Sequence, residues 1–246
     1  MQPVRDRKYI SFSLWGNNAT YTIGAIRNAE LTETIYPGWQ AVIYHDNTVP
    51  NDVLNELRRH GVILKDMSGS AVYGLCWRFL AADNADCAYA IFRDTDSRIS
   101  TREKSAVDQW IADGTTIHIM RDHPYHRIPF GTQDMGILGG MWGIKGGCYP
   151  MQSSIKRFIN NKPDEYGIDQ AFLQEVYRKF KHSQTIHDEF FEGKPFPKKR
   201  TGHQFIGERI DEYERPIGED REALAHHIKL NRPSLIKRIG KKLFPR

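Results

Sequence analysis

The sequence has no run approaching the roughly 18 consecutive apolar residues that span a bilayer, so a membrane-crossing helix is not expected. Cysteine is scarce. Cys76, Cys87 and Cys148 form no CxxC pair and no even-numbered framework, which excludes a disulfide scaffold and a zinc ribbon and leaves buried reduced thiols. The opening MQPVRDRKYISF holds neither an apolar run nor a small-residue cleavage site, and a cytoplasmic protein is expected. Internal repeats and low-complexity tracts are absent as well. Basic residues are not interleaved with aromatics across the chain, which argues against a nucleic-acid partner.

What the chain does contain is an ordinary globular balance, 39% hydrophobic and 26% charged over 246 residues, enough for one sizeable core. The net charge of +5 is uneven: residues 229 to 246 hold seven Lys or Arg and no acid. A basic tail points to an anionic surface.

Strand and helix patterns alternate through the first half. Strands are predicted at Tyr9–Leu14, Ala41–Tyr44, Val62–Leu64, Ala88–Phe92 and Thr115–Met120. Between them helical spacing covers Thr20–Thr34, with Ile23, Ile26 and Leu31 on one side, a helix opened by Pro50 and closed by Gly61, and Cys76–Ala82. Ser100-Thr101-Arg102-Glu103 matches a capping box opening another helix. Such alternation predicts an α/β domain, a mostly parallel sheet flanked by helices. In sheets of this kind ligands sit beyond the carboxyl ends of the strands. The segments there, Trp15–Asn18, His45–Asn47, Asp94–Arg98 and Arg121–His126, are all polar. Past residue 122 come a glycine-rich stretch, GILGGMWGIKGG (136 to 147), and helices over Gln152–Asn160 and about Pro163–Phe180.

Within FRDTDSR, Asp94 and Asp96 fall at strand period two and so project to one side. They then reach one divalent ion, or one binds a ribose and the other the ion; alternatively both pair with Arg93, Arg98 or Arg102. An EF-hand is excluded, because its sixth and twelfth positions would be Ile99 and Ser105. A phosphatase forming an aspartyl-phosphate stays open as a second enzyme class. Pro124 argues against a helical zinc pair of His123 and His126; they suit an anionic or hydroxyl-rich ligand, or merely a surface loop. The glycines at 139, 140, 143, 146 and 147 fit neither GxxxxGK[ST] nor GxGxxG. They either admit close backbone approach to a ligand, with Lys145 neutralising a phosphate, or are plain turns. Asp169, at the edge of an apolar helix stripe, is a candidate base or simply a first-turn acid.

Taken together, SFSLWG (11 to 16), YPGW (36 to 39), WRFLAAD (77 to 83), RDTDSRISTRE (93 to 103), MRDHPYH (120 to 126), GGMWGIKGG (139 to 147) and YGIDQAFL (166 to 173) resemble the nucleotide-sugar glycosyltransferases of the GT-A fold. The nearest likeness is to uncharacterised bacterial and viral glycosyltransferase-like proteins carrying RDTDSR, MRDHPxH and GGMWG. The resemblance implies a Rossmann-like catalytic domain over 1–206 and a C-terminal extension over 207–246. It implies a UDP- or GDP-linked sugar donor, Mn²⁺ or Mg²⁺, and transfer to a glycan or lipid-linked acceptor in polysaccharide or envelope-glycan synthesis. On that reading Leu14, Trp15, Gly16, Tyr21, Arg78, Asp94, Thr95, Gly140 and Trp142 bind the nucleotide sugar. Asp94 and Asp96 hold the metal, with His187 as third ligand and His203 behind it. Lys145 assists the leaving diphosphate, Asp169 is the base or positions the sugar, and His123 and His126 contact the acceptor or an anion. In the tail, either Leu235, Ile236, Ile239 and Leu243 form the apolar face of a basic helix lying peripherally on the inner face of a membrane, or the terminus is a merely solubilising, disordered one.

Overall fold

The computed structural model describes residues 4–126 and 136–231. The expected amphipathic helix of the tail lies outside these residues. Among the described residues, seven strands form one sheet in the order β3-β2-β1-β4-β6-β5-β7. They are β1 (Arg7–Leu14), β2 (Gln40–His45), β3 (Ile63–Asp66), β4 (Cys87–Phe92), β5 (Ile117–Arg121), β6 (Trp142–Lys145) and β7 (Gln184–Asp188). All neighbours pair in parallel except β6, which runs antiparallel to both β4 and β5. The mostly parallel α/β sheet expected from the alternation is therefore present.

The helices are α1 (Ala19–Ile35), α2 (Asn51–Arg59), α3 (Gly74–Trp77), α4 (Thr101–Asp113), α5 (Met151–Ile159), α6 (Ile168–Lys179) and α7 (Asp220–Leu230). A 3-10 turn, Arg78–Asp83, continues α3. Alternate residues along each strand feed two cores, as a period of two requires. Ala90 and Phe92 face Phe79, Trp142 and Phe172 on one side, while Ile91 faces Phe12, Val107 and Trp110 on the other.

Three local expectations are corrected and one is completed. Ile26 and Leu31 of α1 pack half-buried against the core as one side, while the fully buried residues of the helix are Thr22, Gly24, Ala25, Asn28, Ala29 and Thr32. The long helix begins at Ile168 rather than Pro163, because Gly167 at its N-cap adopts φ +89°. The glycine-rich stretch contains a strand, β6, and regular structure resumes beyond Lys181 as β7 and α7. The capping box is half formed. Ser100 Oγ accepts the Glu103 N–H, but the Glu103 carboxylate turns inward to Arg93 Nε (2.6 Å) and the Tyr36 hydroxyl (2.9 Å).

Described residues of the expected C-terminal extension contact the segment after β4. Ile210 N–H donates to Asp96 O at 2.7 Å, and Arg98 pairs with Glu214 at 2.9 Å. Among the described residues no helix is long and apolar enough to cross a membrane.

Candidate active site

The alternation in ISFSL decides where the site's central cation sits. Ile10, Phe12 and Leu14 fill one core, so Ser11 and Ser13 face the other. There both hydroxyls bind the backbone of a single residue: Ser11 Oγ donates to Arg78 O (2.7 Å), and Ser13 Oγ accepts from Arg78 N–H (3.0 Å). Arg78 is buried, and its guanidinium reaches the carboxyl end of β4. Nη1 binds Asp94, just past β4, and Nη2 binds Asp169 at the start of α6 at 2.9 Å. Burial alone would lower the arginine's pKa; Asp94 and Asp169 outweigh it and hold it raised.

Two glycines make this convergence possible. A Cβ on Gly139 would stand 2.3 Å from Asp169 Oδ2 and 2.5 Å from Arg78 Nη2, and one on Gly140 would stand 1.9 Å from Asp94 Oδ2. Both precede β6, whose antiparallel course puts its beginning at the carboxyl ends of the parallel strands. Around these groups lies a cavity of about 590 Å³. Leu14, Trp15, Gly16, Tyr21, Thr95, Asp96, Tyr166 and Gln170 are among its lining residues.

Leu14, Trp15, Gly16, Tyr21, Arg78, Asp94, Thr95, Asp96, His126, Gly140 and Asp169 all line this cavity. Five expected residues do not. Lys145 ends β6 opposite Tyr89, at the other end of the sheet, and its Nζ donates to Gly114 O. Three residues of strand, about 10 Å, carry it away from Trp142. Trp142 itself is fully buried against Phe79 and Phe92. His187 lies inside β7, its Nδ1 bonded to His118 Nε2 (2.9 Å) and its Nε2 to Gln109 Oε1 (3.2 Å), so it does not join the aspartates. His123 turns away to Asp220 O at 2.8 Å and packs on Phe205. His203 is exposed and outside the cavity.

Sequence reasoning missed Arg209. It lines the cavity and pulls the Asp96 carboxyl downward, a long-range contact carried by the Ile210–Asp96 bond that no local pattern announces. Arg93, despite its place beside Asp94, points into the opposite layer, bonded to Glu103, Phe92 O and Trp142 O.

Burial and the neighbouring Asp94 push the Asp96 carboxyl up to about 6. Burial likewise raises Asp169, while Arg78 pulls it back. His126 is held well below 6.5 by burial, then by His123 and nearby arginines. Its Nδ1 accepts the Asp122 N–H (3.0 Å), so the neutral ring carries its proton on Nε2. That atom can donate to a ligand oxygen but offers no lone pair to a metal.

The donor set suits a hard divalent cation in part. Asp94 and Asp96 present two carboxylates whose mutual repulsion a cation would relieve, and an ion held by two carboxylates keeps positions for phosphate oxygens and water. Among the described residues no group of three His, Cys, Asp or Glu is arranged to hold a metal without such help.

No family model matches the chain, and no curated protein sequence matches it. Solved structures similar to it include mannosyl-3-phosphoglycerate synthase from Rubrobacter xylanophilus (12% identity, 73% of this chain and 64% of that one, TM-score 0.47). Another is a glycosyltransferase involved in glycosylation of the major capsid of PBCV-1 (12% identity, 92% and 100%, TM-score 0.46). A third is glucosyl-3-phosphoglycerate synthase of M. tuberculosis (12% identity, 73% and 70%, TM-score 0.43). Likeness at these scores assigns this chain no activity.

Proposed function

We propose that the protein is a metal-dependent glycosyltransferase. It moves a hexosyl group from a UDP- or GDP-linked donor to a glycan or lipid-linked acceptor in polysaccharide or envelope-glycan synthesis. The observation that carries this reading is the meeting of Asp94, Asp96 and Asp169 around buried Arg78, at the carboxyl end of the sheet, in a cavity large enough for a sugar nucleotide.

Asp94 and Asp96 would hold Mn²⁺ or Mg²⁺, which when bound supplies Lewis-acid neutralisation of the diphosphate. Leu14, Trp15, Gly16 and Tyr21 form the wall for the nucleoside. The bond from the anomeric carbon to the β-phosphate oxygen breaks, and its electron pair leaves on the diphosphate. Arg209, a guanidinium at the cavity, and the Nε2–H of His126 are the groups placed to meet that charge, the part Lys145 cannot play. An oxygen of the acceptor forms the new bond. Its proton passes to Asp169 if the anomeric configuration of the product is inverted; a retained configuration leaves Asp169 holding a sugar hydroxyl.

The test is a panel of UDP- and GDP-sugars assayed for Mn²⁺-dependent release of nucleoside diphosphate, followed by NMR of the product's anomeric proton. Turnover of no sugar nucleotide, with no thermal stabilisation by UDP or GDP plus Mn²⁺, refutes the reading. Membrane contact through residues 232–246 belongs to the same proposal and is tested by liposome flotation with and without them.

A further inference from the structure

We infer that Asn28 and Gly24, on the buried face of α1, are positioning residues that hold the Asp94–Ser97 turn in its metal-binding shape. This rests on the reading of Asp94 and Asp96 given above. Neither residue lines the cavity, so any effect they have on ligand passes through the turn.

The turn has no regular structure to hold it, yet all four of its carbonyls are bound. Asp94 O accepts from Ser97 Oγ (3.0 Å), and Asp96 O accepts from Ile210 N–H (2.7 Å). The carbonyls on either side of Asp96 belong to Asn28. Its fully buried amide donates to Ser97 O at 2.7 Å and to Thr95 O at 3.4 Å, and also to Gly24 O at 3.0 Å. Its Oδ1 accepts the Ile99 N–H at 3.1 Å, closing the segment downstream. One side chain thus offers two N–H donors and an acceptor oxygen at once, which among residues of this volume only an amide can do. Arg98 Nη1 reaches the same two carbonyls at 3.2 Å each.

Gly24 sets the approach. A Cβ there would stand 2.1 Å from Thr95 O and 3.0 Å from Arg98 Nη1, and the first of these atoms is backbone. α1 therefore packs on the turn through a bare backbone surface, one helical turn before Asn28. Fixing the peptides on both sides of Asp96 fixes the direction of its carboxylate relative to Asp94. The gap between two ligands is what decides whether one ion can bridge them.

Asn28→Asp is nearly isosteric, keeps the acceptor for Ile99 and turns an oxygen toward two carbonyls. Gly24→Ala leaves Asn28 in place and pushes on Thr95 O. Ala29→Gly, in the same helix and with no side-chain hydrogen bond to the turn, controls for lost helix stability. Calorimetric titration with Mn²⁺ plus UDP, or plus GDP, gives the dissociation constant. Hydrogen exchange of the ligand-free protein reports on residues 94–99. Both test variants should bind at least tenfold more weakly than wild type and exchange faster over 94–99, with Ala29→Gly within twofold on both counts. The apparent KM for Mn²⁺ should rise tenfold while kcat at saturating Mn²⁺ falls less than threefold.

If Asn28→Asp does not fold, Gly24→Ala decides alone. Wild-type binding and exchange in the variants, or an equal loss in Ala29→Gly, overturns the positioning role. Failure of wild type itself to bind Mn²⁺ with either nucleotide overturns instead the reading on which it rests.

Discussion

Replacing Arg78 with methionine removes the cation shared by Asp94 and Asp169 while keeping most of the side-chain volume. The two partners are affected unequally. The Asp94 side chain is 47% exposed, so water screens it and its loss of partner costs little. The Asp169 side chain is 4% exposed and is left as an unpaired buried carboxylate. Breaking a buried pair by removing one partner costs roughly 3–5 kcal/mol. At about 2–4 °C per kcal/mol for a chain of this size, the melting temperature should fall by about 10 °C near pH 7.

The pH dependence carries the diagnosis. In wild type the Asp169 carboxyl is already raised by burial with Arg78 opposing the rise, so the variant raises it further. An acid with a raised folded pKa contributes stability while protonated and loses it as pH climbs through that pKa. The deficit of Arg78→Met should therefore be small near pH 4 and grow toward pH 7. Adding Asp169→Asn removes the stranded charge, and the double variant should recover at least about 2 kcal/mol relative to the sum of the singles. Urea unfolding at several pH values measures all of this. A deficit that does not vary with pH, or strict additivity of the two substitutions, refutes the account of Arg78 as a charge bridge.

Asp96→Ala should abolish metal-dependent donor turnover while leaving the melting temperature within a few degrees; full activity in that variant removes the aspartates from the chemistry. Lys145→Ala should leave kcat/KM for the donor within about twofold, since its ammonium binds Gly114 O at the far end of the sheet. A hundredfold loss there would mean that the sheet register is wrong. Arg209→Ala should lower kcat by at least tenfold with the fold intact, and no change would leave the diphosphate without its proposed protein cation. His187 supplies an acid limb. Burial depresses it from 6.5 to about 4, so below pH 6.5 the unfolded chain binds a proton that the folded one refuses. Stability should fall between pH 6.5 and 4 by up to about 3 kcal/mol. His187→Gln should make that limb shallower in urea titrations, with buried His118 and His126 keeping the rest; an unchanged slope would mean that His187 does not contribute to it.

Period-two and helical patterns were enough to read the five strands β1 to β5 and most of the helices, but not β6 and β7, because burial on one face writes directly into residue spacing only where the pattern is long enough. The polar strand ends marked the site for the same reason: carboxylates and amides are not left beside a core without purpose. Direction and distance were what local pattern could not carry. Lys145 and Gly140 sit in one glycine-rich motif, yet the antiparallel run of β6 sends them to opposite ends of the sheet. His187 and Trp142 are the residue types that sites use, and also those that cores use when a partner is at hand, here His118 and Phe79. Arg209 enters through contacts more than a hundred residues apart in sequence.

α1 shows the physical reason most sharply. Spacing of Ile23, Ile26 and Leu31 marks a side of which Ile26 and Leu31 pack only half-buried on the core, because an apolar stripe reports apolar area and not closest approach. Here the inside is Gly24, Ala25, Asn28 and Thr32, a face selected for closeness and hydrogen bonding rather than for apolar area. A large side chain at position 24 would push the helix off Thr95 O, and a non-amide at 28 would leave Thr95 O and Ser97 O to Arg98 alone. Small and polar residues inside a helix therefore indicate backbone packed against backbone. In this fold the backbone on the other side is the one that carries Asp94 and Asp96.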